Sequence, residues 1–486
     1  MNKNVIAVID GAAGSCGKAK VCGEIATSEN IGASVTNSMP NAGQTFVSED
    51  GKKYLFKNIP TGIVNPDSDL FIGPGSEIDM ESFMQEYDQA SPLLNHRKIY
   101  VHELVPIIAS RHRKIEQGNI KTGSTFKGSW GAYIEKALRD PSLKFFEGYK
   151  NAIVVSNQEY LERLHSHLDK TDEYILLEGS QGCDLSLNGS GNYPYTTGRD
   201  ISVARMLSDS LLPVDSLYKS IMVIRPFPIK KINNESDIGD LNDYGNGRPL
   251  TWSEINISSI LQEYPYANYI EDRFGDLFPT NYKDYYFDDS TWLLTDESYN
   301  RALLNYNYIY DMYFKLPEEY KKQLEAQGCN IEALTTVDCL EIERLYHKSI
   351  NTYLNREELN DCVLSRYADI PKDKLKVYHS FVLNMDIPDL SESCTRGERE
   401  RSIYDLDINK LISNIKINRP DGLYLNFFEQ LDISLRNIDG RYDEYELSQY
   451  IKEYLDWLES MTQTDVVALG TGERNNQSIK LRALLK

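Results

Sequence analysis

Near the start of the chain an apolar run, Val5-Ile6-Ala7-Val8, leads into Ile9-Asp10-Gly11-Ala12-Ala13-Gly14-Ser15-Cys16-Gly17-Lys18-Ala19-Lys20. A strand, a glycine-rich turn and a basic helix start, in that order, make a cradle for phosphate. Glycines let backbone N–H groups approach an anion, a helix N-terminus adds partial positive charge, and Lys18 can reach a terminal phosphate oxygen. The spacing departs from the Walker A loop, because no glycine stands five positions before Gly17-Lys18 and Ala19 takes the place of the hydroxyl residue that would hold magnesium. Further polar loops could complete a nucleotide site: Pro40-Asn41-Ala42-Gly43-Gln44-Thr45, Gly123-Ser124-Thr125-Phe126-Lys127-Gly128, and Glu178-Gly179-Ser180-Gln181-Gly182.

The elements that must position these loops follow from the apolar pattern. Short apolar runs at 5–9, 69–73, 98–101, 152–155, 174–177 and 221–225 alternate with helical patterns such as 129–139 and 158–168. This predicts an α/β fold with a largely parallel central sheet and covering helices, whose ligands gather in loops beyond the carboxyl ends of the strands. From about 265 to 390 tyrosines become dense, charge alternates, and helical periodicity at 318–327, 335–351 and 356–367 predicts a mostly helical insertion. Its tyrosines, set among acids, read as packing and rim residues rather than a platform for single strands. An α/β pattern then returns, with a strand at 422–428, a helix at 443–461 and a strand at 465–469 ending in Gly470-Thr471-Gly472. The expected organisation is a core over 1–264, the insertion over 265–390, and a return to the core over 391–486.

Composition narrows the function. The 486 residues carry a formal charge of −21 and are 41% hydrophobic, which is globular and unsuited to general binding of nucleic acid or acidic membrane. Neither a signal peptide nor an apolar run approaching the roughly 20 residues of a membrane span is present, so a cytoplasmic protein is expected. Seven cysteines without CxxC spacing fit a reducing compartment, with no disulfide framework or zinc site. His165-Ser166-His167 lies in a polar helical stretch and is expected to be exposed to solvent rather than to bind metal.

Taken in order, the loops resemble adenylosuccinate synthetase, the ligase that joins aspartate to C6 of a purine monophosphate while consuming a nucleoside triphosphate. Residues 14–20 resemble the family's GDEGKGK loop, and Asn41-Ala42-Gly43-Gln44-Thr45 resembles NAGHT. Gly123-Ser124-Thr125 through Tyr133 to Arg139 resembles GTTGRGIGPAY with its downstream arginine. Glu178-Gly179-Ser180-Gln181-Gly182 resembles EGAQG, and Tyr193-Pro194-Tyr195-Thr196-Thr197 resembles YPYVT. The resemblance covers roughly residues 1–250 and 393–486 and leaves the insertion unexplained. Ser15, the 40–45 loop, Ser186-Leu187-Asn188 and Leu250-Thr251-Trp252 are closest to a phage branch, the 2-aminoadenylosuccinate synthetases, which act on dGMP in making 2-aminoadenine DNA.

The resemblance implies a P-loop-NTPase-like synthetase fold, Mg²⁺, ATP or GTP as cosubstrate, and a homodimer. It places the triphosphate on Gly14, Gly17, Lys18 and Thr45, with Asn426, Glu429, Gly470 and Gly472 around its base. It places the purine monophosphate on Ser15, Asn41, Thr125, Gln181 and Thr197, with Arg139 reaching the phosphate from the neighbouring subunit. Thr395, Arg399 and Arg401 would grip aspartate, the arginines by a bidentate fork. Ser15 and the Gly43 carbonyl would lie by the metal, and catalysis would fall to Ser15, Lys18 and Gln44.

Departures from the family pattern bear on the reaction. Ser15 stands where most members have an aspartate that takes the N1 proton and contacts magnesium. A hydroxyl has no useful basicity near neutral pH, but it can hydrogen-bond beside N1 and a 2-amino group, which favours a guanine-type substrate. Gln44 stands where the family has a histidine, and an amide cannot act as a general acid. Phe427 replaces the lysine of a TKLD-like strand end while Glu429 keeps a carboxylate, which inclines the base choice toward adenine. Three functions stay open: a Mg²⁺-dependent ligase acting on dGMP or GMP, an IMP-dependent adenylosuccinate synthetase, and a nucleotide-sensing or scaffold protein whose insertion contacts a protein partner.

Overall fold

The computed structural model describes residues 2–40, 43–120, 125–230, 249–250, 255, 313–326, 329, 342, 345, 390, 392, 402–438, 440–441 and 447–483. By internal contacts the chain divides into two units, Met1–Ile255 with Leu390–Lys486, and Asn256–Asp389.

The first unit is built on an eleven-stranded sheet. Its central strand β1 (Val5–Asp10) is buried at every position, as a strand covered on both faces must be, and so reads as a continuous apolar run. The chain passes through α1 (Lys18–Ser28) to β2 (Ile31–Thr36), then into a separate hairpin of β3 (Gln44–Val47) and β4 (Lys53–Phe56). It then crosses to one edge of the sheet through β5 (Asp69–Ile72), α2 (Met80–Leu94), β6 (Ile99–His102), α3 (Ser110–Asn119), α4 (Ser129–Ala137), β7 (Ala152–Val155) and α5 (Asn157–Leu168). β8 (Tyr174–Gly182) returns to lie between β1 and β2, and after α6 (Val203–Asp209) β9 (Leu217–Ile224) pairs with the other side of β1. These pairings are parallel. The chain therefore leaves β1 on both sides, and the carboxyl end of β1 is a switch point where connecting loops part and open a crevice.

Next, β10 (Ile229–Lys230), β11 (Pro249–Leu250) and, later in the chain, β12 (Ser402–Tyr404) form a small antiparallel sheet. In the second unit, α7 (Glu318–Ala326) contributes Leu324 to an apolar cluster with Leu316, Ile342 and Leu345. In the first unit, α8 (Ile408–Asn418), β13 (Gly422–Leu425), β14 (Gly440–Arg441), α9 (Gln449–Thr462), β15 (Val466–Gly470) and β16 (Ser478–Lys480) complete the sheet on the β9 side, with β16 antiparallel to β15. One core cluster joins Ile6 and Val8 of β1, Val21, Cys22 and Ile25 of α1, and Ile221 and Val223 of β9, so the loop at 11–17 is anchored at both ends. Among the described residues, no helix is long and apolar enough to cross a membrane.

Several expected boundaries shift for physical reasons. Glu178-Gly179-Ser180-Gln181-Gly182, expected as a loop, continues β8, because the buried Glu178 carboxylate accepts from Thr61 N at 2.7 Å and Thr61 Oγ1 at 2.8 Å. Gln44 and Thr45 begin β3 instead of ending a loop, since Phe46 packs where Gly23 of α1 leaves room. The 422–428 strand stops at Leu425 because Phe427 is left-handed (φ 59°), and the 129–139 helix stops at Ala137 before left-handed Arg139 (φ 59°). Within 335–351, Ile342 and Leu345 are described and helical, while the rest of that span, all of 356–367 and residues 443–446 of the 443–461 helix lie outside the described residues.

The expected exposure of His165 and His167 is overturned. His165 Nε2 contacts Leu211 O at 2.9 Å, and His167 is buried with Nδ1 2.5 Å from Glu173 Oε1 and Nε2 3.3 Å from Asp69 Oδ2. Burial pulls the His167 pKa down, but its bonds to Asp69 and Glu173 outweigh that and leave it above its ordinary value. The stabilisation is therefore fully present below the unfolded value of about 6.5 and is lost as pH rises through the higher folded value. Urea midpoints of the wild type and His167→Gln should differ most near pH 6 and draw together toward pH 9. A gap that stays constant across this range would rule out a charged His167.

Candidate functional site

The loop after β1 takes its shape from Asp10. The wholly buried carboxylate accepts from Ala12 N and Cys16 N, each at 3.0 Å, and pairs with Lys18 Nζ at 3.3 Å. Lys18 also donates to Gln181 O at 3.0 Å, so its amine lies between the loop and the end of β8. Three successive turns of left-handed backbone, at Gly14 (φ 99°), Ser15 (φ 60°) and Gly17 (φ 80°), carry the chain over Asp10 and leave Ser15 exposed at the apex. Gly17 is the N-cap of α1 and offers no side chain to its first N–H groups, whereas α2, α5 and α8 are capped by Asp79, Ser156 and Asp407. An uncapped helix start beside a lysine is an anion-binding end.

Behind the loop, Arg225 joins segments far apart in sequence. Its fully buried guanidinium donates to Ser15 O at 3.2 Å, to Glu392 and to Gln430 Oε1 at 3.3 Å, and stacks 4.0 Å from the Phe427 ring centroid. Asn426, where β13 ends, ties the same region to the loop by donating to Cys16 O at 2.9 Å and Gly17 O at 3.2 Å while accepting from Lys20 Nζ at 3.3 Å. Side chains at Gly17 or Gly470 would collide with that amide, which explains both glycines by close approach. Lys20 also donates to Gln477 O at 2.6 Å, and burial pushes its ammonium down to about 8 against the pull of Glu24 and Glu429. Burial raises the Glu429 carboxyl, whose Oε2 has no hydrogen-bond partner among the described residues and so remains available to a donor.

A family model for adenylosuccinate synthetase matches residues 8–145. The N6-succino-2-amino-2'-deoxyadenylate synthase of Vibrio phage phiVC8 is 33% identical over 267 residues, covering 52% of this chain and 74% of the relative. The chain belongs to the adenylosuccinate synthetase family. It is a carbon–nitrogen ligase of that type. The adenylosuccinate synthetase of Methanococcus aeolicus is 28% identical over 229 residues, covering 46% of this chain and 66% of that one. A structure of the Cyanophage S-2L succinoaminodeoxyadenylate synthetase, described as bound to dGMP and to dATP as an energy donor, shares the fold with a TM-score of 0.57 at 20% identity, covering 99% of this chain and 96% of that one.

Against the family pattern, the structure brings Gly14, Ser15, Gly17, Lys18, Gln181, Asn426, Glu429 and Gly470 to one edge of the sheet. Gln181 holds a left-handed backbone (φ 63°) that a glutamine adopts at a cost, and its Oε1 is buried without a hydrogen-bond partner among the described residues. Gln44 Oε1 is in the same condition, while its Nε2 lies 3.5 Å from Ser38 Oγ. Gly43 and Thr45 are exposed at the start of the hairpin. Thr125 is exposed ahead of α4, whose first turn is filled by the Glu116 carboxylate accepting from Gly128 N at 2.8 Å and Trp130 N at 2.7 Å. Thr197 donates its N–H to Leu185 O at 2.8 Å, Arg139 is exposed past α4, and Gly472 packs against Gln477 and Asn437. Asn41, Thr395, Arg399 and Arg401 lie outside the described residues.

Sequence reasoning passed over Asp10, Lys20, Glu178 and Arg225. The available signal was charge inside apolar strands: an acid closing Val5-Ile6-Ala7-Val8-Ile9 and an arginine closing Ile221-Met222-Val223-Ile224. A lysine keeps the charge of Arg225 but neither its planar fork nor its stack. Arg225→Lys is expected to weaken nucleotide binding, with ATP and GTP each tried as the probe, by about tenfold in calorimetry. It should also unfold at a higher temperature than Arg225→Met, which strands Glu392 beside the loop. Wild-type nucleotide affinity in Arg225→Lys would make the fork and stack dispensable.

Proposed function

We propose that this ligase joins aspartate to C6 of a guanine-type purine monophosphate, dGMP or GMP, at the expense of ATP. The observation that carries the reading is Ser15, exposed at the apex of the phosphate loop in a left-handed turn. Guanine presents N1–H and a 2-amino group on one edge where hypoxanthine presents N1–H alone. A hydroxyl is small enough to leave room for the second group and bonds to it without adding a charge. The activity for which the phage relative is named and the ligands of the S-2L structure support the same choice, and Phe427 in the lysine position supports adenine as the triphosphate base.

The γ-phosphoryl group would pass to O6 of the purine, and the aspartate amine would then attack C6 and expel inorganic phosphate with O6. Products are a nucleoside diphosphate, phosphate and the 2-aminoadenylosuccinate-type nucleotide. Lys18 and the open start of α1 would offset charge on the transferring oxygens, the dominant contribution in phosphoryl transfer. Gln181 and Thr197 would hold the monophosphate, with Thr125 and Asn41. Gln44 would donate an amide hydrogen bond to the departing phosphate in place of proton transfer, a change that typically lowers rate by about 10²–10⁴-fold. Arg139, exposed beyond α4, would serve the site of a second subunit, and Thr395, Arg399 and Arg401 would hold aspartate.

Among the described residues no cluster of three acids, histidines or cysteines could cage a metal. The resemblance names the Ser15 hydroxyl and the Gly43 carbonyl as donors, and neutral oxygens of this kind would suit a magnesium ion that arrives on the triphosphate with phosphate oxygens and water as its main ligands. Bound there, it would neutralise phosphate charge.

The test is incubation with Mg²⁺, ATP or GTP, aspartate and each of dGMP, GMP and IMP, following phosphate release and product mass. A succinyl adduct on dGMP or GMP is expected, and an adduct on IMP alone would overturn the reading. Ser15→Asp should shift relative kcat/KM toward IMP by at least about tenfold, the scale of one selective hydrogen bond.

A further inference from the structure

The loop from Gly11 to Lys18 contains no acid, yet its amine and two of its N–H groups converge on one carboxylate, that of Asp10, immediately before it. We infer that Asp10 is a positioning residue for the reaction proposed above, on which this inference rests. It holds Lys18 in register and supplies from the strand end the negative charge that Ser15 does not bring to the loop.

The geometry divides its work between the two oxygens. Oδ1 takes Ala12 N at 3.0 Å and sets the first bend, while Oδ2 takes both Cys16 N at 3.0 Å and Lys18 Nζ at 3.3 Å. With those N–H groups turned inward, the outer side of the loop is left to Gly14, Ser15 and the start of α1. Lys18 is only 6% exposed and has its second bond to Gln181 O at 3.0 Å. Its four-carbon stem is thus ordered on folding rather than on binding, and an arriving phosphate meets an amine already aimed. A pin for the Ala12 N–H alone could be an asparagine. The Cys16 N–H and the ammonium that meet on Oδ2 are what require a second acceptor oxygen, and the ammonium favours that oxygen charged.

Asp10→Asn can keep the bond from Ala12 N on Oδ1 but gives up both bonds on Oδ2, and pairing it with Lys18→Met isolates the part that runs through the ammonium. Calorimetry of Mg²⁺ with a non-hydrolysable ATP analogue on the full chain, in a cycle with Lys18→Met, gives the test. We expect about a tenfold loss for Asp10→Asn, about thirtyfold for Lys18→Met, and a double variant within about twofold of Lys18→Met alone. Affinity for dGMP should stay within about threefold throughout. Losses that multiply in the double variant, or a matching loss of dGMP affinity, would reduce Asp10 to a structural pin and overturn the proposal. Should Asp10→Asn not fold, Asp10→Glu keeps the charge and is expected to hold the analogue within about threefold of wild type; a loss as large as that of Lys18→Met would overturn it. Because the readout needs no turnover, a wild type that makes no adduct would refute the proposed reaction while this cycle still decided the role of Asp10.

Discussion

How β1 stops is the constraint on which the carboxyl edge of the sheet depends. A strand buried on both faces must end with its charged groups paired, since an unpaired buried carboxylate or ammonium costs several kcal/mol. Asp10 and Lys18 satisfy each other and the loop between them, and the turn that results is the one a phosphate requires. The thiols of Cys16, Cys22 and Cys183 sit in the same dry surroundings, and burial pushes each well above its ordinary range. They are packing groups beside a charged loop, with no thiolate to compete as a nucleophile.

Around that loop the long-range contacts converge from the distant end of the chain. Asn414 of α8 donates to Gly11 O at 3.1 Å and to Asp184 Oδ1 at 2.7 Å, Asn426 reaches Cys16 and Gly17, and Arg225 links Ser15 to Glu392 and Phe427. The bonds to Gly11, Ser15, Cys16 and Gly17 take the loop's own backbone carbonyls as acceptors. The loop thus has little freedom to move alone, and a change at Asn426 or Phe427 reaches the 15–17 segment through the Asn426 amide and the Arg225 guanidinium.

The fold and most of the site loops were legible because their signals are local. Glycines mark left-handed turns, continuous apolar runs mark covered parallel strands, and the loops fall in one family order. Glu178 and Arg225 were not legible as site-builders because their buried charges are explained by partners far along the chain: Thr61 for Glu178, and Ser15, Glu392 and Gln430 for Arg225. His167 failed for the same reason, its helix being polar in sequence while its ring faces Asp69 and Glu173 from other elements. Asp10 has its partners within eight residues, and it was hidden because an acid at a strand end reads as a turn residue until the loop is seen to fold back onto it. The β3–β4 hairpin was hidden by Gly23, whose missing side chain is read as a helix flaw until Phe46 is seen to fill the space.

On the proposed reading, Ser15 and Gln44 belong together. By resemblance they replace a carboxylate and an imidazole, one an acceptor of protons and the other a donor. By the same resemblance the phage branch carries the serine and keeps the histidine, so Gln44 is the further step taken by this chain. Losing both keeps the local charge nearly unchanged and converts a site that moves protons into one that orients groups with neutral hydrogen bonds. The buried oxygens of Gln44 and Gln181 and the Oε2 of Glu429, unpartnered among the described residues, fit that description, because each is an acceptor for which the described residues supply no donor. Purine amino and ring N–H groups are such donors, and guanine carries one more on its hydrogen-bonding edge than hypoxanthine.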